Sequence, residues 1–235
     1  MKHLLINGCS YAHFWPNYNQ LAIKLNADRV VNLARPGSSN DRIIRTTFEH
    51  VNNNLDVDFI IMMLSYNARY EGPWRNNSGN EEGSWISYTP KGIAMHWQDD
   101  KVNVDLVPIE KYIQDKFVYD HNMAYTEKTL INLILLTTWL ESKHINYCIF
   151  NTCDDIYDHP GFNNIKSYRN KLDLLLTNKK VIDLRKFLSN QWMYDQGAVI
   201  PANEAINHPS SVHYSNDGYE LLNNFLYNYI KENCL

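Results

Sequence analysis

The chain has 235 residues, 44% hydrophobic and 20% charged, with a formal net charge of −4. That is enough for one α/β domain with a full core, and the mild acidity with scattered Lys and Arg argues against a nucleic-acid or anionic-membrane partner. The longest apolar segment, Thr129 to Leu140, is about half the ~20 residues a bilayer span needs.

The N-terminal stretch Met-Lys-His-Leu-Leu-Ile-Asn-Gly carries too short an apolar run for a signal peptide, so the expected location is cytoplasmic. Cys9, Cys148, Cys153 and Cys234 form no Cys-x-x-Cys pair and read as free thiols in a reducing compartment, with no structural zinc.

The pattern along the chain alternates strand and helix, which predicts a parallel sheet with helices on both faces. Strand one is Lys2 to Ile6. A helix follows over about Asn17 to Leu25, entered at Pro16. Strand two is Arg29 to Leu33, and Pro36-Gly37-Ser38-Ser39 is a turn. Ser39 or Asn40 caps a helix running to about Asn53. Phe59 to Leu64 is an unbroken apolar run, as a strand buried on both faces should be.

Residues 65 to 120 lack clear periodicity and hold several Gly, Pro, Trp and Tyr. They read as a long irregular insertion over the strand ends, with room for a short hairpin. A long amphipathic helix follows over about Asn122 to Lys143. Strand four is Tyr147 to Asn151, with a helix over about Ile165 to Leu176 and a short strand over Lys180 to Asp183. A weaker helix is expected over about Arg185 to Met193, and a last helix over about Asn216 to Glu232. There is no internal repeat or composition break, so residues 1–235 read as one domain with an insertion at about 65–120.

In open parallel sheets the binding crevice lies at the carboxyl ends of the strands. Ser10, Gly37 and Asn67 follow strands one, two and three. His213 lies in the last loop, before the final helix. A serine at the first strand end and a histidine near the chain's end suit acyl transfer if the fold brings them together, because a serine hydroxyl needs an adjacent base. Each residue also has a plain structural role open to it: Ser10 and Asn67 in turns, Gly37 for backbone geometry, His213 on the surface.

The chain resembles the SGNH (GDSL-like) hydrolase superfamily. Gly8-Cys9-Ser10 resembles its first block, Gly-Asp-Ser, and Gly37 sits where its second-block glycine falls. Ser65-Tyr66-Asn67-Ala68 resembles the Gly-x-Asn-Asp block. Ser210-Ser211-Val212-His213, with Gly218-Tyr219 behind it, resembles the Asp-x-x-His block. The Gly-Cys-Ser-aromatic start is similar to divergent, often phage-associated members, for which a virion location is the alternative. These blocks span residues 8 to 219, nearly the whole chain.

The resemblance implies a three-layer α/β/α fold with about five mostly parallel strands, SGNH- or flavodoxin-like. It implies Ser10 as nucleophile and His213 as base. It also implies an oxyanion hole from the Ser10 and Gly37 N–H groups and the Asn67 side chain. His208 competes as base, because His208-Pro209-Ser210 resembles the His-Pro-Asn variant of the last block. The family aspartate is replaced by Ser210, or by Ala205 if His208 is the base. Such a carboxylate is worth about 10⁴ in kcat in serine proteases. Glu204, Asp195 or a backbone carbonyl are the available substitutes. Cys9 stands in the place of the first-block aspartate and reads as a buried structural thiol.

Arg69 and Glu71 are candidate substrate contacts or a local ion pair. Trp74, Trp85 and Trp97 are candidates to line a sugar site or to pack within the insertion. The reading is a serine esterase or deacetylase acting on a small acyl ester. By family analogy the ester is an O-acetylated carbohydrate, with no metal or organic cofactor. Two alternatives remain open: acyl transfer to another hydroxyl at the same site, and a non-catalytic glycan-binding or assembly protein that kept the fold. A dinucleotide site is disfavoured, since no Gly-x-Gly-x-x-Gly follows strand one.

Overall fold

In a computed structural model, which describes residues 1–65, 69–74, 84–89, 92–96, 122–151, 166–182 and 214–235, β1 (His3–Gly8) and β3 (Phe59–Leu64) are buried at every position. Between them in the chain lie α1 (Ser10–His13), α2 (Tyr18–Lys24), β2 (Arg29–Asn32) and α3 (Asn40–Asn53). After β3 come β4 (Tyr70–Trp74), β5 (Ser84–Thr89), β6 (Gly92–His96) and α4 (Asn122–Ser142). The remaining elements are β7 (Asn146–Asn151), α5 (Lys166–Thr177), β8 (Val181–Ile182) and α6 (Asn216–Asn233).

Five strands form one parallel sheet in the order β2-β1-β3-β7-β8. Successive side chains on a strand face opposite sides, and that alternation sorts the core into two halves. Leu4, Ile6, Phe59, Ile61, Met63, Cys148 and Phe150 pack with residues of α1, α2 and α6. Leu5, Ile60, Met62, Leu64, Tyr147 and Ile149 pack with α3, α4 and α5. The result is the three-layer α/β/α arrangement expected from the strand–helix alternation. No helix among the described residues is long and apolar enough to cross a membrane.

Two features depart from the expected pattern. Residues 70–96 are not wholly irregular: β4, β5 and β6 form a separate three-stranded antiparallel sheet, with a register shift between Ser87 and Tyr88. Its strands are five or six residues long and separated by Gly and Pro. β-branched and aromatic residues such as Trp85, Ile86 and Tyr88 carry the strand propensity instead of a long alternation. The second feature is α1, four residues long and too short to show a helical period. Ser39, not Asn40, caps α3, accepting the Arg42 N–H at 3.1 Å. The helix expected over Arg185 to Met193 lies outside the described residues. Cys9, Cys148 and Cys234 are buried free thiols.

Candidate active site

The strand order places β1 between β2 and β3, so the chain leaves β1 for one side of the sheet and crosses to the other after β2. This is the topological switch point, and ligands of open α/β sheets bind in the crevice outside it. Everything at the carboxyl end of β1 is therefore candidate site.

Gly8 ends β1 against β3. A Cβ there would stand 2.8 Å from the Ala12 Cβ, 2.8 Å from the Met63 carbonyl oxygen and 2.9 Å from the Met63 Cβ. Only glycine lets the chain pass this close and turn at once into α1. Ser10 is the first residue of that helix and is 6% exposed. The Cys9 carbonyl accepts the Ala12 and His13 N–H groups, at 3.1 and 3.0 Å. The first N–H groups of a helix have no acceptor inside it, and preplaced N–H groups are what a developing oxyanion needs. Cys9 is 1% exposed and lies in the core, as the sequence indicated.

Polar side chains brace this corner. Asn7, fully buried, sets its Nδ2 2.9 Å from the Ile43 carbonyl and 2.8 Å from both Thr46 and Thr47 hydroxyls of α3. Its Oδ1 accepts the Gly8 N–H at 2.9 Å. On the β2 side, Asn32 donates to the Ala12 carbonyl at 3.0 Å and accepts the Ala34 N–H at 2.9 Å. The Arg35 N–H donates to the Gly8 carbonyl at 3.2 Å. The His13 Nδ1 lies 3.0 Å from the Ala34 carbonyl. These bonds bring the loop after β2 against the start of α1. That loop carries Gly37, buried and at φ 75°, a left-handed conformation open to glycine.

At the end of β3, Ser65 and Asn40 exchange two hydrogen bonds. The Ser65 N–H donates to Asn40 Oδ1 at 2.7 Å, and Asn40 Nδ2 donates to the Ser65 carbonyl at 3.0 Å. Arg69 donates to the Ser65 hydroxyl at 3.0 Å. The chain's far end also reaches the corner. Tyr219 of α6 donates its buried hydroxyl to the Tyr11 carbonyl at 2.9 Å, and burial raises that phenol's pKa, keeping it a neutral donor. The rings of Tyr214 and Tyr11 meet edge to face at 5.0 Å.

Of the sequence-predicted site residues, Ser10 and Gly37 stand at adjoining strand ends, and Arg69 beside the end of β3. Asn67, His208, His213 and Trp97 lie outside the described residues, as do Glu204 and Asp195. Glu71 and Trp74 belong to β4 by backbone; their side chains are not among those described. Sequence reasoning passed over Asn7 and Arg42, and met Asn40 only as a cap candidate and Ser65 only in the glycine position of the third block; all four are nine-tenths or more buried. Asn7 left a signal: it is a polar residue directly after the apolar run Leu4-Leu5-Ile6, and a core accepts such a residue only when hydrogen-bonded.

The fold is shared, at low sequence identity, with solved proteins. The YxiM protein of Bacillus subtilis matches with a TM-score of 0.51 at 11% identity, over 98% of this chain and 56% of that one. The psychrotrophic esterase EstA from Pseudoalteromonas sp. matches at 0.50 and 10% identity, over 99% and 98% of the two chains. A GDSL-like lipase from Bacteroides thetaiotaomicron gives 0.49 at 12% identity, over 98% and 88%. No curated protein matches the chain. By sequence the chain belongs to a family of unknown function, DUF6071, whose profile matches residues 6–235.

Proposed function

We propose that this protein is a serine hydrolase of SGNH type that cleaves a small acyl ester, with O-acetyl groups on a carbohydrate as the substrate class. Ser10 is the nucleophile. His213 is the base, with His208 as the competing assignment. The Ser10 and Gly37 N–H groups and the Asn67 side chain stabilise the oxyanion. The base takes the Ser10 proton as the hydroxyl attacks the acyl carbon, and returns it to the departing alkoxide. Water then cleaves the acyl-enzyme by the same route. Residues 1–235 act as one domain.

The observation that carries this reading is Ser10's place at the switch point, on the first turn of a helix, with the Gly37 loop bonded to the preceding strand end through Arg35 N–H and Gly8 carbonyl. A second observation supports the base. Tyr11 and Tyr214, which follow Ser10 and His213 in the chain, are in ring contact. One fact favours a non-catalytic binding protein on the same fold: Ser210 where the family carries the orienting aspartate.

Fluorophosphonate labelling of wild type and Ser10→Ala, with p-nitrophenyl acetate turnover in parallel, tests the proposal. Labelling and turnover that vanish in the variant are expected. A folded wild type that neither labels nor turns over refutes the hydrolase and leaves the binding protein.

A further inference from the structure

We propose that Arg42 is the positioning residue that sets the oxyanion side of this site, by fixing the turn on which Gly37 sits; the inference rests on the hydrolase reading above. Residues 33–38 carry no regular secondary structure, yet Gly37 can serve as a donor only if its N–H is held in place. An oxyanion donor works by being set before charge develops. A misplacement of about 1 Å costs on the order of 100-fold in rate.

Arg42 joins the two ends of that loop. Its Nη1 donates to the Leu33 carbonyl at 3.3 Å and to the Ser38 hydroxyl at 3.1 Å. Leu33 opens the loop, and Ser38 directly follows Gly37. Ser38 in turn donates through its hydroxyl to the Arg35 carbonyl at 2.8 Å, while its N–H reaches the same carbonyl at 3.3 Å. The turn around Gly37 is thus closed on itself and then tied to α3.

Arg42 is itself held at its base. Its N–H is the one that the Ser39 hydroxyl accepts, so backbone and guanidinium are fixed at the same helix start. With 8% exposure, the guanidinium lies in a setting where water competes weakly for its hydrogen bonds. Lysine is a poor replacement: both bonds come from one nitrogen of a rigid, weakly hydrated planar group, whereas an ammonium is a strongly hydrated point charge on a flexible stem. The turn also depends on a left-handed glycine at φ 75°, a conformation that needs its surroundings to hold it.

The test compares wild type, Arg42→Lys, Arg42→Met and a control, Arg45→Lys, on the full chain at a temperature well below each unfolding midpoint. Arg45 lies on the same helix but pairs with Glu49 away from the loop. The readouts are the fluorophosphonate labelling rate at Ser10, and kcat and KM on p-nitrophenyl acetate. Arg42→Lys is expected to lower kcat and the labelling rate about 10- to 100-fold, with KM within about threefold. That is up to the lower bound for losing one oxyanion donor. Arg42→Met should fall as far or further, and Arg45→Lys should match wild type. A purely structural arginine would lower the unfolding midpoint while the folded fraction kept its kcat. Folded Arg42 variants that label and turn over at the wild-type rate overturn the assignment and leave the hydrolase standing. A wild type that does not label overturns both.

Discussion

Gly8→Ala tests the tightness of the corner at the end of β1. The new methyl would meet three heavy atoms at 2.8, 2.8 and 2.9 Å, where relaxed carbon contacts lie at about 3.5–4.0 Å. One is a backbone oxygen and two are Cβ atoms, so none can rotate out of the way. Relief requires β1 and β3 to part or α1 to swing off β1. Overpacking of this kind costs about 1–3 kcal/mol and occasionally more. Removing glycine's unfolded-state entropy returns at most about 1 kcal/mol. Three simultaneous contacts put the expected net loss at the upper end, about 2–3 kcal/mol. At roughly 2–4 °C per kcal/mol for a chain of this size, the midpoint should fall by about 4–12 °C. Because Ser10 is two residues further on and rides on α1, fluorophosphonate labelling should fall as well, even where the variant is folded. Urea unfolding and a thermal scan read the first effect, and labelling below the midpoint reads the second. A variant with wild-type midpoint and wild-type labelling would refute the reasoning, since it would mean the corner has room for a methyl group.

Ser39→Ala removes the cap of α3 and the acceptor of the Arg42 N–H; a loss of about 1 kcal/mol is expected, read by urea unfolding, with Ser39→Asp retaining most of it. Acid sensitivity should report the opposite end of the sheet. There His50 is held below its ordinary pKa of 6.5, first by burial, then by repulsion from His3 and Arg29, with Asp56 opposing. The unfolded chain then binds the proton more readily than the folded one, so stability should fall as pH drops from about 6.5 through the lowered folded value. Asp56, lowered chiefly by its hydrogen bond to His3, adds a separate loss only below its ordinary 3.8. Unfolding free energy measured against pH should therefore show a slope just below 6.5 that His50→Gln flattens; an unchanged slope would count against this half-buried histidine as its source.

What could be read from the sequence follows from which contacts are local. β3 announces itself because a strand buried on both faces reads as an unbroken apolar run, β1 through its apolar stretch Leu4-Leu5-Ile6, and α3 because a Ser39 cap precedes an amphipathic run. Ser10 is legible for the same reason: in a parallel sheet the residue after the first strand stands at the switch point whatever its neighbours are. The supports of the site depend on tertiary register instead. Asn7 meets Thr46 and Thr47 across separations of 39 and 40 residues, and Ser65 meets Asn40 across 25. Arg42 looks, in sequence, like one more charge on a helix beside Asp41 and Arg45. Its acceptor at Leu33 is a backbone carbonyl, a group every residue possesses and whose direction no composition or period encodes. The position of Ser10, the proposed nucleophile, is thus fixed by topology, whereas the groups that hold the proposed oxyanion donor Gly37 are fixed by where loop carbonyls point. Substitutions at Asn7, Asn40 and Arg42 therefore bear on the site more directly than their distance from Ser10 in the chain suggests.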